Sequence, residues 1–223
     1  MDVDQSFGAA RCVVFDWDGT VLDTTAAIAL SIQYACEKLG LPVPSTTKAK
    51  SVIGLGWRDA IRIVAPTCPP EEFQAFGAYY TERYRPEELK VHLFPGITDL
   101  IKALHDRGTL LAVATGKSRR GLNRVLEQTG LGPYFYDTQT AEENPSKPDP
   151  AMLEQIGINT GLGPEAVVMV GDTTHDVLMA KNWGCRSIAV SYGAMTAKML
   201  EDARPDLIVN DVEALARALG VEL

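Results

Sequence analysis

Cys12-Val13-Val14-Phe15-Asp16-Trp17-Asp18-Gly19-Thr20-Val21-Leu22-Asp23 is the stretch whose reading decides the fold. Its first four residues form an unbroken apolar run rich in β-branched side chains, the pattern of a strand covered on both faces. The run stops at the turn-prone Asp18-Gly19. Carboxylates and a threonine therefore follow directly on a buried strand. In an open parallel sheet the carboxyl ends of the strands line the ligand crevice, so polar residues there are placed to act on something.

Moving outward, similar apolar runs recur at Leu110 to Ala114, Val167 to Val170, Ser187 to Val190 and Leu207 to Val209. Segments of helical period lie between them: Ile97 to Arg107, Ser118 to Thr129, Pro150 to Gly157, Thr174 to Trp183 and Asp211 to Leu219. Strands alternating with helices predict right-handed crossovers and an α/β fold, a Rossmann-like doubly wound parallel sheet. The stretch 24–92 breaks that rhythm, because it has helical periods and Pro/Gly punctuation but no convincing buried strand. Thr24 to Leu39 carries Ile28, Ile32, Ala35, Cys36 and Leu39 on one stripe, and Gly40 and Pro42 end it. Trp57 to Val64 and Glu71 to Tyr84 read as further helices, the latter ending before Pro86. The predicted organisation is a core of 1–23 and 93–223 with an all-helical cap, 24–92, inserted after the first strand.

Composition narrows the function. The chain has 223 residues, about one core plus a smaller insertion. Its 21 Lys and Arg against 29 Asp and Glu leave a net charge of −8, a field that repels nucleic-acid backbones and anionic lipid. An anionic substrate would then need a local cation or metal. Cys12, Cys36, Cys68 and Cys185 form no C-x-x-C pair and gather no histidine, which argues against a zinc site or a disulfide framework. Reduced thiols, an acidic N-terminus and no apolar run of membrane-spanning length point to a cytoplasmic protein without nucleic-acid or membrane partners.

The other strand ends agree with the first. Leu110 to Ala114 delivers Thr115-Gly116, and Val167 to Val170 delivers Gly171-Asp172-Thr173-Thr174-His175-Asp176. Between them lies Ser146-Lys147-Pro148-Asp149-Pro150, a lysine followed by punctuating prolines just before a helix. Two acidic clusters, a hydroxyl with a glycine and one lysine thus converge from distant parts of the chain.

This set resembles the haloacid dehalogenase superfamily of phosphatases, whose motifs D-x-D-G-T, Thr or Ser, Lys, and G-D-x-x-x-D are all present in that order. With the insertion and the return at Phe94-Pro95-Gly96, the resemblance covers nearly the whole chain and is closest to the capped subgroup that includes phosphoglycolate phosphatases. It implies that Asp16 is a nucleophile forming an aspartyl phosphate. It also implies that Asp16, Asp172 and the backbone carbonyl of Asp18 hold Mg²⁺, with Asp176 in support. Asp18 is then the general acid and base, and a division of labour between two carboxyls predicts that it holds its proton more readily than Asp16. Thr20, Thr115 and the Gly116 amide are implied donors to phosphoryl oxygens, and Lys147 the neutralising cation. The implied substrate is a small phosphorylated metabolite, 2-phosphoglycolate favoured, turned over by a monomer or homodimer.

Plainer readings compete at single residues. Thr115 and Thr173 or Thr174 can cap the helices that follow them, and Asp23 can cap the Thr24 helix or fix the hinge to the cap. Gly116-Lys117-Ser118 imitates the end of a P-loop, but Leu111 stands where its first glycine belongs. Gly54-Leu55-Gly56 is too weak for a dinucleotide site; as a cap loop it makes Trp57 and Arg58 candidates for substrate selection. His175 is expected at the solvent or the crevice rim. A β-phosphoglucomutase-like enzyme, an inorganic pyrophosphatase or nucleotidase, and from another class a phospho-accepting receiver domain are the alternatives. The cap stretch Thr25-Ala26-Ala27-Ile28 lacks the histidine that mutase relatives usually carry, and receivers have no helical insertion.

Overall fold

The computed structural model describes residues 5–90 and 92–223. Six strands, β1 (Cys12–Phe15), β2 (Leu110–Thr115), β3 (Asp137–Thr140), β4 (Val167–Gly171), β5 (Arg186–Val190) and β6 (Leu207–Val209), form one sheet in the order β3-β2-β1-β4-β5-β6. All the pairings are parallel. Val14 stands opposite Ala112 on one side and Met169 on the other. Strand alternation sends Val13, Phe15, Leu111, Val113, Val168 and Val170 to one hydrophobic layer, and Cys12, Val14, Ala112, Ala114 and Met169 to the other. Both layers are covered by helices, and that is why the strand sequences are apolar without alternation.

The first layer is covered by α5 (Ile97–Asp106), α6 (Arg119–Thr129) and α10 (Val212–Ala218), and the second by α7 (Ala151–Thr160) and α8 (Thr174–Trp183). A short helix, α9 (Ala197–Glu201), precedes β6. β3 was not expected from sequence. Its residues Asp137-Thr138-Gln139-Thr140 are polar because it is the sheet edge, half-buried at its start, and apolar patterning does not reach it.

Between β1 and β2 the chain forms α1 (Thr25–Lys38), α2 (Thr46–Lys50), α3 (Trp57–Val64) and α4 (Phe73–Glu88). These helices surround a core of their own, including Ile28, Ile32, Val52, Ile61, Val64 and Phe76. Two readings need correction here. The short α2 escaped notice; Ser45 caps it by accepting from the Lys48 amide. α4 does not end before Pro86 but runs through it to Glu88. A proline near the end of a helix removes one late backbone bond, and the extra turn carries Glu88, buried, into ion pairs with the core. The insertion is entered and left through adjacent segments: Leu22 forms an isolated antiparallel bridge with Leu93, and the Asp23 amide donates to the His92 carbonyl at 2.8 Å.

Trp183 has room because Gly157 on α7 faces it, where a Cβ would lie 2.7 Å from the indole. None of the described helices is long and apolar enough to cross a membrane.

Candidate active site

The strand order reverses at β1, which has β2 on one side and β4 on the other. That switch point opens a crevice at their carboxyl ends. Asp16 follows β1 directly, its amide donating to Val170 of β4 at 2.8 Å, and Asp172 follows β4. Asp176 enters on the first turn of α8, where its Oδ2 accepts from the amide of Thr173 at 3.1 Å and from the hydroxyl at 2.7 Å, a capping box. Its Oδ1 accepts from Lys147 Nζ at 2.6 Å, and the same ammonium donates to Asp16 Oδ1 at 2.7 Å. All four side chains are buried.

Asp16, Asp172 and Asp176 each bring a carboxylate oxygen within 4.8 Å of the others. One lysine faces three carboxylates, so negative charge is left over in a dry site. Asp16 Oδ2 has no hydrogen-bond partner among the described residues. Burial, opposed by Lys147, pushes the Asp16 carboxyl up to about 7, with Asp176 adding repulsion. Asp172 is also pushed well up, by burial and then by Asp16. An oxygen-only donor set with excess negative charge fits a hard divalent cation.

A pH and metal prediction follows. A carboxyl whose folded pKa is raised contributes stability that is present below its unfolded value, near 3.8, and lost as pH rises through about 7. Asp172 acts in the same direction. The metal-free protein should therefore melt at a lower Tm at pH 8 than at pH 5, by about 5–10 °C at a few kcal/mol. Mg²⁺ should raise Tm more at pH 8 than at pH 5. Thermal melts in chelator and in Mg²⁺ check this, and an equal Mg²⁺ increment at both pH values would refute it.

The remaining predicted residues are placed as follows. Thr20 is buried and donates to Asp172 Oδ1 at 3.3 Å. Thr115 Oγ1 accepts from the Lys117 amide at 3.2 Å, and as an acceptor there it still has its own hydrogen to donate. Gly116 is pressed by the insertion: a Cβ on it would lie 2.4 Å from the Leu55 carbonyl oxygen. Asp172 Oδ2 accepts from the Ala194 amide at 2.6 Å, and Gly19, at φ +88°, leaves room for that carboxylate, since a Cβ would lie 2.0 Å from it.

Asp18 stands apart from the three-carboxylate group. Its Oδ1 accepts from Thr24 Oγ1 at 2.7 Å and lies 3.0 Å from Lys117 Nζ. Burial acts on Asp16, whereas Asp18 is held by the Thr24 hydroxyl and the Lys117 ammonium.

A cavity of about 300 Å³ lies between the crevice and the helical insertion, reached by Asp18, Gly116, Lys117 and Trp57. Trp57 is 38% exposed and packs on Phe76 and Tyr80. Arg58 is exposed and does not line this cavity. His175 is not at a free rim. It is half-buried, and its Nε2 is 2.8 Å from the Ser51 carbonyl oxygen of the insertion. Ser146 makes a second link, accepting from the Gly56 amide at 2.7 Å. Sequence reasoning passed over Lys117, Glu88, Tyr84 and Arg124 as parts of this cavity. The signal for Lys117 was present, because it follows the same strand end as Thr115 and Gly116.

Residues 13–190 match the family model described as haloacid dehalogenase-like hydrolase. A phosphoglycolate phosphatase of Vibrio cholerae serotype O1 is 30% identical, covering 95% of this chain and 97% of that protein. "Probable phosphatase IndB" of Dickeya dadantii is 33% identical over 93% of this chain and 94% of its own length. The crystal structure of a predicted phosphoglycolate phosphatase from Haemophilus somnus 129PT superposes with a TM-score of 0.80 at 26% identity, covering 94% of this chain and 97% of the other.

Proposed function

This chain belongs to the haloacid dehalogenase-like hydrolase family and is a phosphatase, and from that premise we propose that it uses Mg²⁺ to hydrolyse a small phosphomonoester, with 2-phosphoglycolate favoured, through an aspartyl phosphate on Asp16. The observation that carries this reading is the state of Asp16: one oxygen held by Lys147 at 2.7 Å, the other buried with no hydrogen bond among the described residues. The held oxygen fixes the carboxylate, and the other has its lone pairs free to attack phosphorus. Asp16, Asp172 and the Asp18 carbonyl would hold Mg²⁺, with Asp176 in support. When bound, Mg²⁺ supplies the positive charge that lets a phosphate dianion approach these carboxylates.

Asp18 is the group that protonates the departing alkoxide and later takes a proton from the water that cleaves the acyl phosphate. Thr20, Thr115 and the Gly116 amide are the donors to phosphoryl oxygens, and Lys147 answers charge that grows in the transition state. Residues 24–92 are the cap. Its loop at Gly54 and Leu55 lies against Gly116, and closure there would exclude bulk water and any macromolecular substrate. The names of the Vibrio and Haemophilus relatives support phosphoglycolate as the first substrate to try.

A panel of phosphorylated metabolites with Mg²⁺, compared by kcat/KM, tests the reading. 2-Phosphoglycolate is expected to exceed glucose 1-phosphate, a nucleoside monophosphate and pyrophosphate by at least about tenfold. Isomerisation of glucose 1-phosphate without phosphate release would make the protein a mutase instead.

A further inference from the structure

Lys117, in the loop after β2, has no task in the proposed function. Its side chain is only 8% exposed, and it lines the cavity beneath the insertion. Its Nζ donates to the Tyr84 hydroxyl at 3.1 Å, lies 3.0 Å from Asp18 Oδ1, and stands 5.3 Å from the centre of the Tyr84 ring. An ammonium has three donors. The next carboxylate, Glu88, is 3.9 Å away, outside hydrogen-bond reach, and is itself gripped by Arg124 at 2.8 Å. Among the described residues one Lys117 donor is therefore unanswered, beside cavity walls that include Ile28, Ile32, Leu55 and Phe76. Lys117 is thus ion-paired with Asp18 and has a donor to offer a ligand in the cavity.

The order along the crevice says what would answer it. On the reading given above, phosphorus meets Asp16 and the ester oxygen meets Asp18. Of the two groups that hold Asp18 Oδ1, Thr24 and Lys117, Lys117 is the one that lines the cavity, so a substituent one or two bonds beyond the ester oxygen reaches it. We propose that Lys117 is a specificity-determining residue that binds a second anionic group of the substrate, a carboxylate on the carbon next to the ester oxygen. The enzyme then selects phosphorylated 2-hydroxy acids over uncharged phosphomonoesters of the same size. This rests on the phosphatase reading and sharpens it, because it assigns substrate choice to a core residue rather than to Trp57 or Arg58.

The test compares kcat/KM for 2-phosphoglycolate and for 2-hydroxyethyl phosphate, which replaces the carboxylate with a neutral hydroxymethyl group. The wild-type enzyme should prefer the carboxylate substrate by roughly 10- to 100-fold, the worth of one charge-assisted hydrogen bond. In Lys117→Met that ratio should collapse towards one, and Lys117→Arg should restore part of it. A wild-type enzyme with no preference overturns the proposal, as does a Lys117→Met variant that slows both substrates equally and keeps the ratio. Should Lys117→Met fail to fold by circular dichroism, the wild-type ratio and that of Lys117→Gln decide on the same terms. Hydrolysis of p-nitrophenyl phosphate, and its loss in Asp16→Asn, reports on the phosphatase reading separately.

Discussion

Asp16→Asn is expected to abolish turnover, lowering kcat for p-nitrophenyl phosphate with Mg²⁺ by at least about 10⁴-fold, while the protein stays folded. An amide is neutral and a poor nucleophile, so no acyl phosphate can form on it. The shape is nearly unchanged, and Asn still offers an oxygen to Lys147, which in the parent lies 2.7 Å from Asp16 Oδ1. Removing one of three crowded carboxylates also removes repulsion. The Tm of the variant should therefore be no lower than that of the parent at pH 8 without metal, the pH range in which burial of an ionised Asp16 is unfavourable. Steady-state kinetics and thermal melts on the same preparation check both halves. Turnover near the parental rate would remove Asp16 as the nucleophile, whatever happened to stability.

Lys147→Met should fail in both stability and rate. Lys147 is fully buried between Asp16 and Asp176, at 2.7 and 2.6 Å. Burial alone would lower its pKa, yet the two carboxylates more than offset that and hold the ammonium firmly charged. Met fills a similar volume but leaves the carboxylates without their cation, and breaking a buried pair in this way typically costs about 3–5 kcal/mol. On the proposed reading Lys147 faces the transferring phosphoryl group, and its loss should reduce kcat by a further factor of about 10²–10³. Denaturant unfolding at pH 7.5 reads the first effect, and single-turnover kinetics in saturating Mg²⁺ reads the second. Mg²⁺ should recover part of the stability and little of the rate, since it can neutralise carboxylates but cannot stand where Nζ stands. A variant as stable and as fast as the parent would show Lys147 to be a bystander.

What was readable from the chain has a common physical origin. The buried parallel strands declare themselves because being covered on both faces demands unbroken apolar runs, as at Cys12–Phe15 and Val167–Gly171. The residues after those strands declare themselves because chain order and strand ends are local properties. β3 stayed hidden because an edge strand of Asp, Thr and Gln carries no such demand. The end of α4 was misjudged because proline was read as a stop, whereas Glu88 two residues later gains Arg124 at 2.8 Å.

The candidate site divides in the same way. From sequence alone came Asp16, Asp18, Lys147, Asp172 and Asp176, the insertion after β1, and a negative site that calls for a cation. The aspartates follow from residue type at strand ends, the insertion from a break in the strand–helix rhythm, the cation from counting charges, and Lys147 from its place before a helix in the motif order of the resemblance. Only the tertiary structure decided which carboxylates share a lysine, that Asp16 keeps one buried oxygen unanswered, and that Asp18 turns towards Lys117 instead of joining the other three. Those are statements of distance and burial between residues as far apart as Asp16 and Lys147, and no local pattern carries them. The partner a buried charge finds depends on how separate elements pack, and here the meeting of loops and a helix at the carboxyl ends of β1 and β4 set it.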